Sequence, residues 1–359
     1  MKLYILTGES SGDIHAANLV RELKLYNSSV KIRAWGGERL IAEGVDLAKN
    51  ITSAAFMGIW DVIKNLNTIR KNLIYCKRDI LEYKPDAIIL VDYPGFNLKI
   101  AKFAKENDIK VFYYIPPKVW AWNKSRAYKM KSYVDELLVI FPFEVDFYEK
   151  IGMKATYVGN PLLDEISKSD LSFNSQNEKP IIALLPGSRR QEIDLILPEM
   201  LKVIPEFPDY QFVVAGVSSF GERYYQNFIK ENNVAVVFNQ TYGLIKNSQA
   251  AVVTSGTASL EVALFRLPQV VCYKTNILTY ILARMLIRIR FISLVNILMD
   301  RQVVPELIQA DCNMENIKNK LQTVLNRKSD MLIDYDRLVK LLDKEGASKN
   351  AAQFIMQSI

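Results

Sequence analysis

The chain has 359 residues, half of them apolar, with three cysteines, one histidine and a formal net charge of +7. Its length exceeds the ~250–300 residues at which a single core stops growing, so two domains are expected, and the apolar half excludes wholesale disorder. Cys76, Cys272 and Cys312 are few and far apart and read as reduced thiols, while a single histidine excludes a histidine-based metal site and argues against a Ser-His-Asp triad.

In chain order, Met1–Gly8 reads as a strand running into a turn, without the apolar length or cleavage site of a secretory leader. No window supplies the ~18 uncharged apolar residues of a spanning helix. Strands are expected at Leu3–Leu6, Ile32–Trp35, Ala87–Val91, Val111–Tyr114, Leu137–Ile140 and Thr156–Val158. Between them the spacing predicts helices at His15–Lys24, Thr68–Glu82, Leu98–Glu106, Ser125–Ser132 and Glu144–Ile151. Such alternation predicts a parallel sheet covered on both faces. The polar stretch Asp164–Pro180 breaks the pattern. It restarts with strands at Ile181–Leu185, Phe212–Ala215, Ala235–Phe238, Ala251–Thr254 and Val270–Cys272, a helix at Gln191–Phe207, and helices only over Met314–Ile359. The expected organisation is therefore α/β. A doubly wound Rossmann-like domain spans residues 1–164, a linker 165–180 and a second such domain 181–340, with a terminal helix at 341–359 packing back on the first. Ligands in such sheets sit at the carboxyl ends of the strands, here in a cleft between the halves.

Several of those strand ends carry candidate chemistry. Gly8-Glu9-Ser10-Ser11-Gly12-Asp13 follows the first strand. It is neither Gly-x-Gly-x-x-Gly nor a Gly-Lys-Ser/Thr loop, but Gly8 and Gly12 would let a ligand near the backbone, and Ser11 and Asp13 could bond a sugar hydroxyl. A plain helix N-cap is the alternative. His15 reads as a hydrogen-bonded structural histidine. Asp92 ends the apolar run Ala87–Val91, where partial burial would raise its pKa toward that of a general base. Asn97 is placed to cap the helix that follows.

At mid-chain, Ile181–Arg190 is a buried strand broken by Pro186 and Gly187 before a helix. Free N–H groups then meet at one point, with the Ser188 hydroxyl and the Arg189 fork suited to phosphate. Thr254–Glu261 repeats the device, and Glu261 could accept both hydroxyls of a ribose. Asp334 and Asp336, the only Asp-x-Asp, lie away from every turn and receive no metal.

Three windows lack carboxylates: Asp61 to Asp79, Asp108 to Asp135 and Glu261 to Asp300. They suggest surfaces facing something anionic. Beside the first, an apolar stripe over Phe56–Ile74 that includes Ile59, Trp60, Ile63 and Ile69 looks interfacial, with a core-packed helix as the alternative. The aromatics of Tyr113–Trp122 would stack on bases, sit at a membrane interface or wall a cleft.

Taken in order, Gly8–Asp13, Val91–Asn97, Pro117–Trp122, Val158–Leu162, Leu185–Arg189, Ser255–Glu261 and Ile292–Leu298 through Val304–Gln309 resemble the motifs of the lipid-A-disaccharide synthase family. The resemblance runs over nearly the whole chain. It implies the GT-B fold, two Rossmann-like domains facing a central cleft. It implies a hexosyltransferase joining UDP-2,3-diacylglucosamine to 2,3-diacylglucosamine 1-phosphate, with release of UDP and a β-1,6 linkage, by inverting displacement without metal or cofactor. Asp92 matches the family's proposed base, and Ser11 lies in its N-terminal loop motif. Arg189, Glu261, Asn296, Glu306 and Gln309 match donor-side motifs, Arg189 sharing the catalytic role by holding the leaving diphosphate. Gly8, Gly12, Asp13, Asn97, Trp122, Gly187, Ser188, Ser255, Gly256 and Thr257 complete the substrate-binding candidates. The chain departs from the family at Gly95, where many members have a second Asp, and at Asn160, where many have His.

The partners expected are the two acylated sugars and an anionic membrane surface, not nucleic acid. The place expected is the cytoplasm, peripheral on the inner face of the inner membrane, with the oligomeric state open between monomer and homodimer. Two other readings stand beside this one: a UDP-sugar epimerase of the same fold, and a non-catalytic basic RNA- or membrane-binding module.

Overall fold

Apolar strands buried on both faces build the chain into two units. The computed structural model describes residues 1–51, 66–122, 124–173, 179–229, 234–286 and 289–359, with the backbone alone at 10, 66, 121, 122, 124, 278, 282, 283 and 286. The N-terminal unit comprises Met1–Asp164 and Lys344–Ile359, and the C-terminal unit Glu165–Asp343.

Strands β1 (Lys2–Leu6), β2 (Lys31–Gly36), β3 (Asp46–Asn50), β4 (Ala87–Val91), β5 (Lys110–Tyr114), β6 (Glu136–Val139) and β7 (Ala155–Tyr157) form the first sheet. Its order is β3-β2-β1-β4-β5-β6-β7, parallel throughout. The second sheet contains β8 (Ile181–Leu185), β9 (Gln211–Gly216), β10 (Ala235–Phe238), β11 (Ser248–Thr254), β12 (Gln269–Tyr273) and β13 (Glu306–Ile308). Its order is β10-β9-β8-β11-β12-β13, again parallel. In both sheets the chain winds one way from the first strand, then returns beside that strand and winds the other way. The reversal opens a crevice beyond the carboxyl ends of β1 and β4, and another beyond β8 and β11.

Two strands, β3 and β13, escape the apolar-run reading of the sequence. Both lie at sheet edges, where one side of the ladder meets solvent. The run Asp46-Leu-Ala-Lys-Asn has no fully buried residue, and Glu306–Ile308 has one. The helix expected over Gln191–Phe207 ends at Leu201 and gives way to a 3₁₀ turn at Ile204–Glu206, because Pro205 has no N–H to continue it.

Strand alternation sorts the first sheet's side chains into two layers. Tyr4, Leu6, Ile88, Leu90 and Tyr113 face one layer with Ile100 and Met130, from helices Pro94–Glu106 and Lys124–Tyr133. Leu3, Ile5, Ile89, Val91 and Phe112 face the other, with Leu19 and Leu23 from helix Ser10–Tyr26. The last helix, Ala347–Ser358, closes this second layer through Ala351, Ala352 and Ile355 and packs along Ser10–Tyr26. Its approach is fixed at Gly159 (φ +102°), where a Cβ would stand 2.2 Å from the Lys344 carbonyl oxygen. Asp164 Oδ1 accepts from the Gly346 amide at 2.8 Å, and the Asn350 amide donates to the Val158 carbonyl at 2.9 Å.

All four tryptophans, Trp35, Trp60, Trp120 and Trp122, fall in the N-terminal unit, so their fluorescence reports on it alone. Ile355→Ala leaves a cavity under the last helix and is expected to cost that unit about 2–5 kcal/mol. A lower urea midpoint by tryptophan fluorescence checks it.

Candidate functional site

In the N-terminal unit the crevice is formed by the loops after β1 and β4. Asp92 and Tyr93 lie in the left-handed region with φ of +49° and +48°. Two successive non-glycine residues there cost on the order of 1–3 kcal/mol each, and such strain concentrates at functional sites. The surroundings impose it. The Asp92 carbonyl accepts from Tyr113 Oη and from Asn97 Nδ2, both at 2.7 Å, and the Tyr93 ring stacks on Phe96 at 5.7 Å. Burial raises the Asp92 carboxyl above the ordinary aspartate range, and the nearby Glu9 charge raises it further. The Tyr93 amide and Lys118 offset part of this.

Several neighbours of Asp92 hold the scaffold around it. Gly8 is glycine because a Cβ would lie 2.2 Å from the Tyr93 ring, and Gly12 because one would lie 2.1 Å from Thr7 Oγ1. Asp13 is buried and accepts from the Gly37 amide (2.6 Å) and the Arg39 amide (3.0 Å), anchoring the loop after β2. Asn97 is fully buried, its amide reaching the carbonyls of Leu6, Val91 and Asp92. It does not cap its helix, which starts earlier, at Pro94, where a proline suits the first turn. Ser11 is exposed on the first turn of helix Ser10–Tyr26. The side chain of Trp122 lies outside the described residues. Asn160 braces its own turn, donating to the Ile140 carbonyl (3.3 Å) and accepting from the Leu162 amide (3.0 Å).

In the C-terminal unit the crevice is a cavity of about 370 Å³ beyond β8 and β11. It gathers Gly187, Ser188, Arg189, Ser255, Gly256, Thr257 and Glu261. Helices Arg190–Leu201 and Thr257–Leu264 both begin at its wall, so the N–H groups of two helix starts stand at one cavity. Gly187 (φ +109°) has no room for a Cβ, which would meet Glu192 Oε2 at 2.6 Å; Gly256 (φ +151°) has nothing within 4 Å of that position. Arg189 is exposed and pairs with Glu192 at 3.1 Å, an exchangeable partner because exposed ion pairs are weak. Ser255 lines the cavity, but its hydroxyl donates to the Ile292 carbonyl at 2.9 Å. Glu261 is pushed up to about 7 by burial first and by Glu165 second. Thr254 opens the turn read from the sequence, where no role was given to its hydroxyl. It ends β11 with a buried hydroxyl that has no hydrogen-bond partner, and the residue lines this cavity. A hydroxyl at the end of an apolar strand, just before Ser-Gly, was the available signal.

The polar atoms of Asn296, Glu306 and Gln309, expected on the donor side, bond to the chain in this structure. Asn296 donates to the Val304 carbonyl (2.9 Å) and to Glu306 (2.8 Å), and accepts from the amides of Val303 and Val304. Glu306 also accepts from the amides of Ile292 and Ser293. Gln309 clamps both backbone groups of Thr275 (2.8 and 3.1 Å).

Of the interfacial candidates, Ile59, Trp60 and Ile63 lie outside the described residues. Ile69 is half-buried in a small recess with Gly8, Tyr93 and Phe96, so it faces the interior of the fold. In the C-terminal unit, helix Ile277–Leu286 instead exposes Ile277, Ile281 and Met285 at four-residue spacing (62%, 48% and 66%).

Comparison with known proteins follows the same lines. A family profile described as lipid-A-disaccharide synthetase matches residues 3–358. The chain is 36% identical to lipid-A-disaccharide synthase 1 of Legionella pneumophila (strain Lens), covering 98% of this chain and 94% of that one. It is likewise 36% identical to the lipid-A-disaccharide synthase of Syntrophus aciditrophicus, covering 97% and 95%. Among solved structures it resembles the glycotransferase of kitacinnamycin (TM-score 0.70, 12% identity, 99% and 98% covered). It also resembles the UDP-GlcNAc 2-epimerase of Neisseria meningitidis (TM-score 0.65, 13% identity, 100% and 99% covered). At these identities the structures establish the fold alone: two Rossmann-like parallel-sheet domains of the GT-B class.

Glu261 titrates near 7 in the folded protein and near ~4.3 when unfolded, so the folded state holds the extra proton between these values. Stability of the C-terminal unit is therefore expected to fall as pH rises through that window. Glu261→Gln should flatten the slope and weaken nucleoside-diphosphate binding about tenfold. Calorimetric unfolding across that range, with and without UDP, checks both.

Proposed function

The chain belongs to the lipid-A-disaccharide synthase family and is a hexosyltransferase, and from that premise we propose that it joins UDP-2,3-diacylglucosamine to 2,3-diacylglucosamine 1-phosphate. The observation that carries the chemistry is Asp92, a carboxyl of raised pKa held on strained backbone at the strand-order reversal of the N-terminal unit. In the proposed step the acceptor's 6-oxygen gives its proton to Asp92 and bonds to the anomeric carbon of the donor. The bond from that carbon to the diphosphate breaks, its electron pair leaves with UDP, and attack from the opposite face inverts the centre to a β-1,6 linkage. Negative charge grows on the departing diphosphate. Arg189, Ser188 and the helix starts after Gly187 and Gly256 are the groups for it, a preorganised donor typically contributing ~3–4 kcal/mol. Glu261, at the same cavity, takes the ribose hydroxyls.

The acyl chains of both substrates place the reaction at a lipid surface, and we assign the enzyme to the inner face of the inner membrane as a peripheral protein. Among the described residues no helix is long and apolar enough to cross a membrane. The exposed stripe Ile277, Ile281 and Met285 stands beside exposed Arg284 and Arg290, in a window without carboxylates between Glu261 and Asp300. That pairing of apolar side chains with cations suits an anionic lipid surface.

Asp92→Asn is expected to lower kcat by about 10²–10⁴-fold with UDP affinity unchanged. UDP release requiring both acylated substrates is the direct test; release from the UDP-sugar without acceptor, or full turnover by the variant, overturns the reading. Ile281→Ser with Met285→Ser removes two side chains, each gaining ~1.5–3 kcal/mol on burial, so retention on phosphatidylglycerol vesicles should drop at least about tenfold. Turnover of detergent-dispersed substrates should persist.

A further inference from the structure

Just beyond Asp92 the chain enters helix Pro94–Glu106, and against helix Lys124–Tyr133 it walls a second cavity of about 360 Å³ in the N-terminal unit. Lys99, Lys102, Arg126 and Lys129 line it, and no carboxylate stands among its described lining residues. Lys102 pairs with Glu106, outside the lining, at 3.7 Å with both side chains more than half exposed, a contact that solvent screens. Four cations lining one hollow give it a positive field that suits an anion. Gly95 is among the lining residues, and a Cβ built there would meet nothing within 4 Å, so the space beside it is open. Gly95 is three residues from Asp92, so at most ~11 Å of backbone separates this part of the lining from the base.

We propose that this recess binds the phosphate monoester of the acceptor sugar. The assignment rests on the transferase reading above and extends it to a subsite. A phosphomonoester brings close to two negative charges and three strong acceptor oxygens, matching lysines as point charges and Arg126 as a fork. In a hexose 1-phosphate, C1 and C5 flank the ring oxygen and C6 hangs from C5. Gripping the phosphate at C1 therefore fixes where the 6-hydroxyl is delivered, and Asp92 is the group awaiting it.

Two variants spare the core: Lys99→Ala with Lys129→Ala, and Lys102→Glu, all three positions being exposed. The first readout, in detergent micelles, is the ratio of kcat/KM for 2,3-diacylglucosamine 1-phosphate to that for the same sugar without phosphate. Loss of a charge-assisted contact should cut this ratio at least about tenfold in each variant, with KM for the UDP-sugar unchanged. An unchanged ratio overturns the assignment. So does loss of retention on phosphatidylglycerol vesicles with the ratio intact, which would make the recess a lipid-headgroup site. The second readout needs no turnover. Glucosamine 1-phosphate should raise the Tm of the wild type but of neither variant, and glucosamine should raise none. If that pattern holds while the wild type forms no disaccharide, the transferase reading fails and the phosphate site stands. If disaccharide forms and the pattern is absent, the reverse is true.

Discussion

A parallel sheet covered on both faces leaves its polar chemistry one place to go: the ends of the strands. In β4 and β8 every residue is buried, so neither can carry a working side chain along its length. Where strand order reverses, the loops from neighbouring strands diverge to opposite faces and leave a gap. Asp92 occupies one such gap and the Arg189–Glu261 cavity the other. The same constraint therefore sites both halves of the proposed chemistry, and it does so twice with one topology.

Holding those gaps open requires bracing, because loop carbonyls and amides near the core need partners. Asn97 draws together the carbonyls at the ends of β1 and β4, and Tyr113 adds a second donor to Asp92. Asn296, Glu306 and Gln309 do the equivalent beyond β12 and β13. The strained backbone at Asp92 and Tyr93 persists because this network over-determines it. Rigidity at a base matters, since the proton must be met at hydrogen-bond distance.

The fold was largely legible in the sequence, and the site less so, for a physical reason. Central strands announce themselves as apolar runs because both faces are covered; β4 and β8 carry the bounds their runs suggest. Edge strands β3 and β13 are half-wet and carry no such run. At the strand ends, the Gly187 and Gly256 turns and Glu261 do share one cavity. Yet a polar residue at a strand end reads the same whether it bonds a ligand or a neighbouring amide, and spacing cannot say which. Asp13, Asn97, Asn296, Glu306 and Gln309 fell on the internal side of that ambiguity. Thr254 opened one of those turns but, as the last residue of an apolar run too, its hydroxyl was given no role.

The C-terminal unit is spliced into the N-terminal one, whose last helix is encoded after the whole of the C-terminal unit. During synthesis the ribosome delivers helix Ser10–Tyr26 early, while Ala347–Ser358, which covers it, arrives last. At about 5–20 residues per second, making the stretch between takes on the order of fifteen seconds to a minute. For that interval the nascent protein bears an apolar groove on its first domain while its second can already be complete, so the domain begun first is the one finished later.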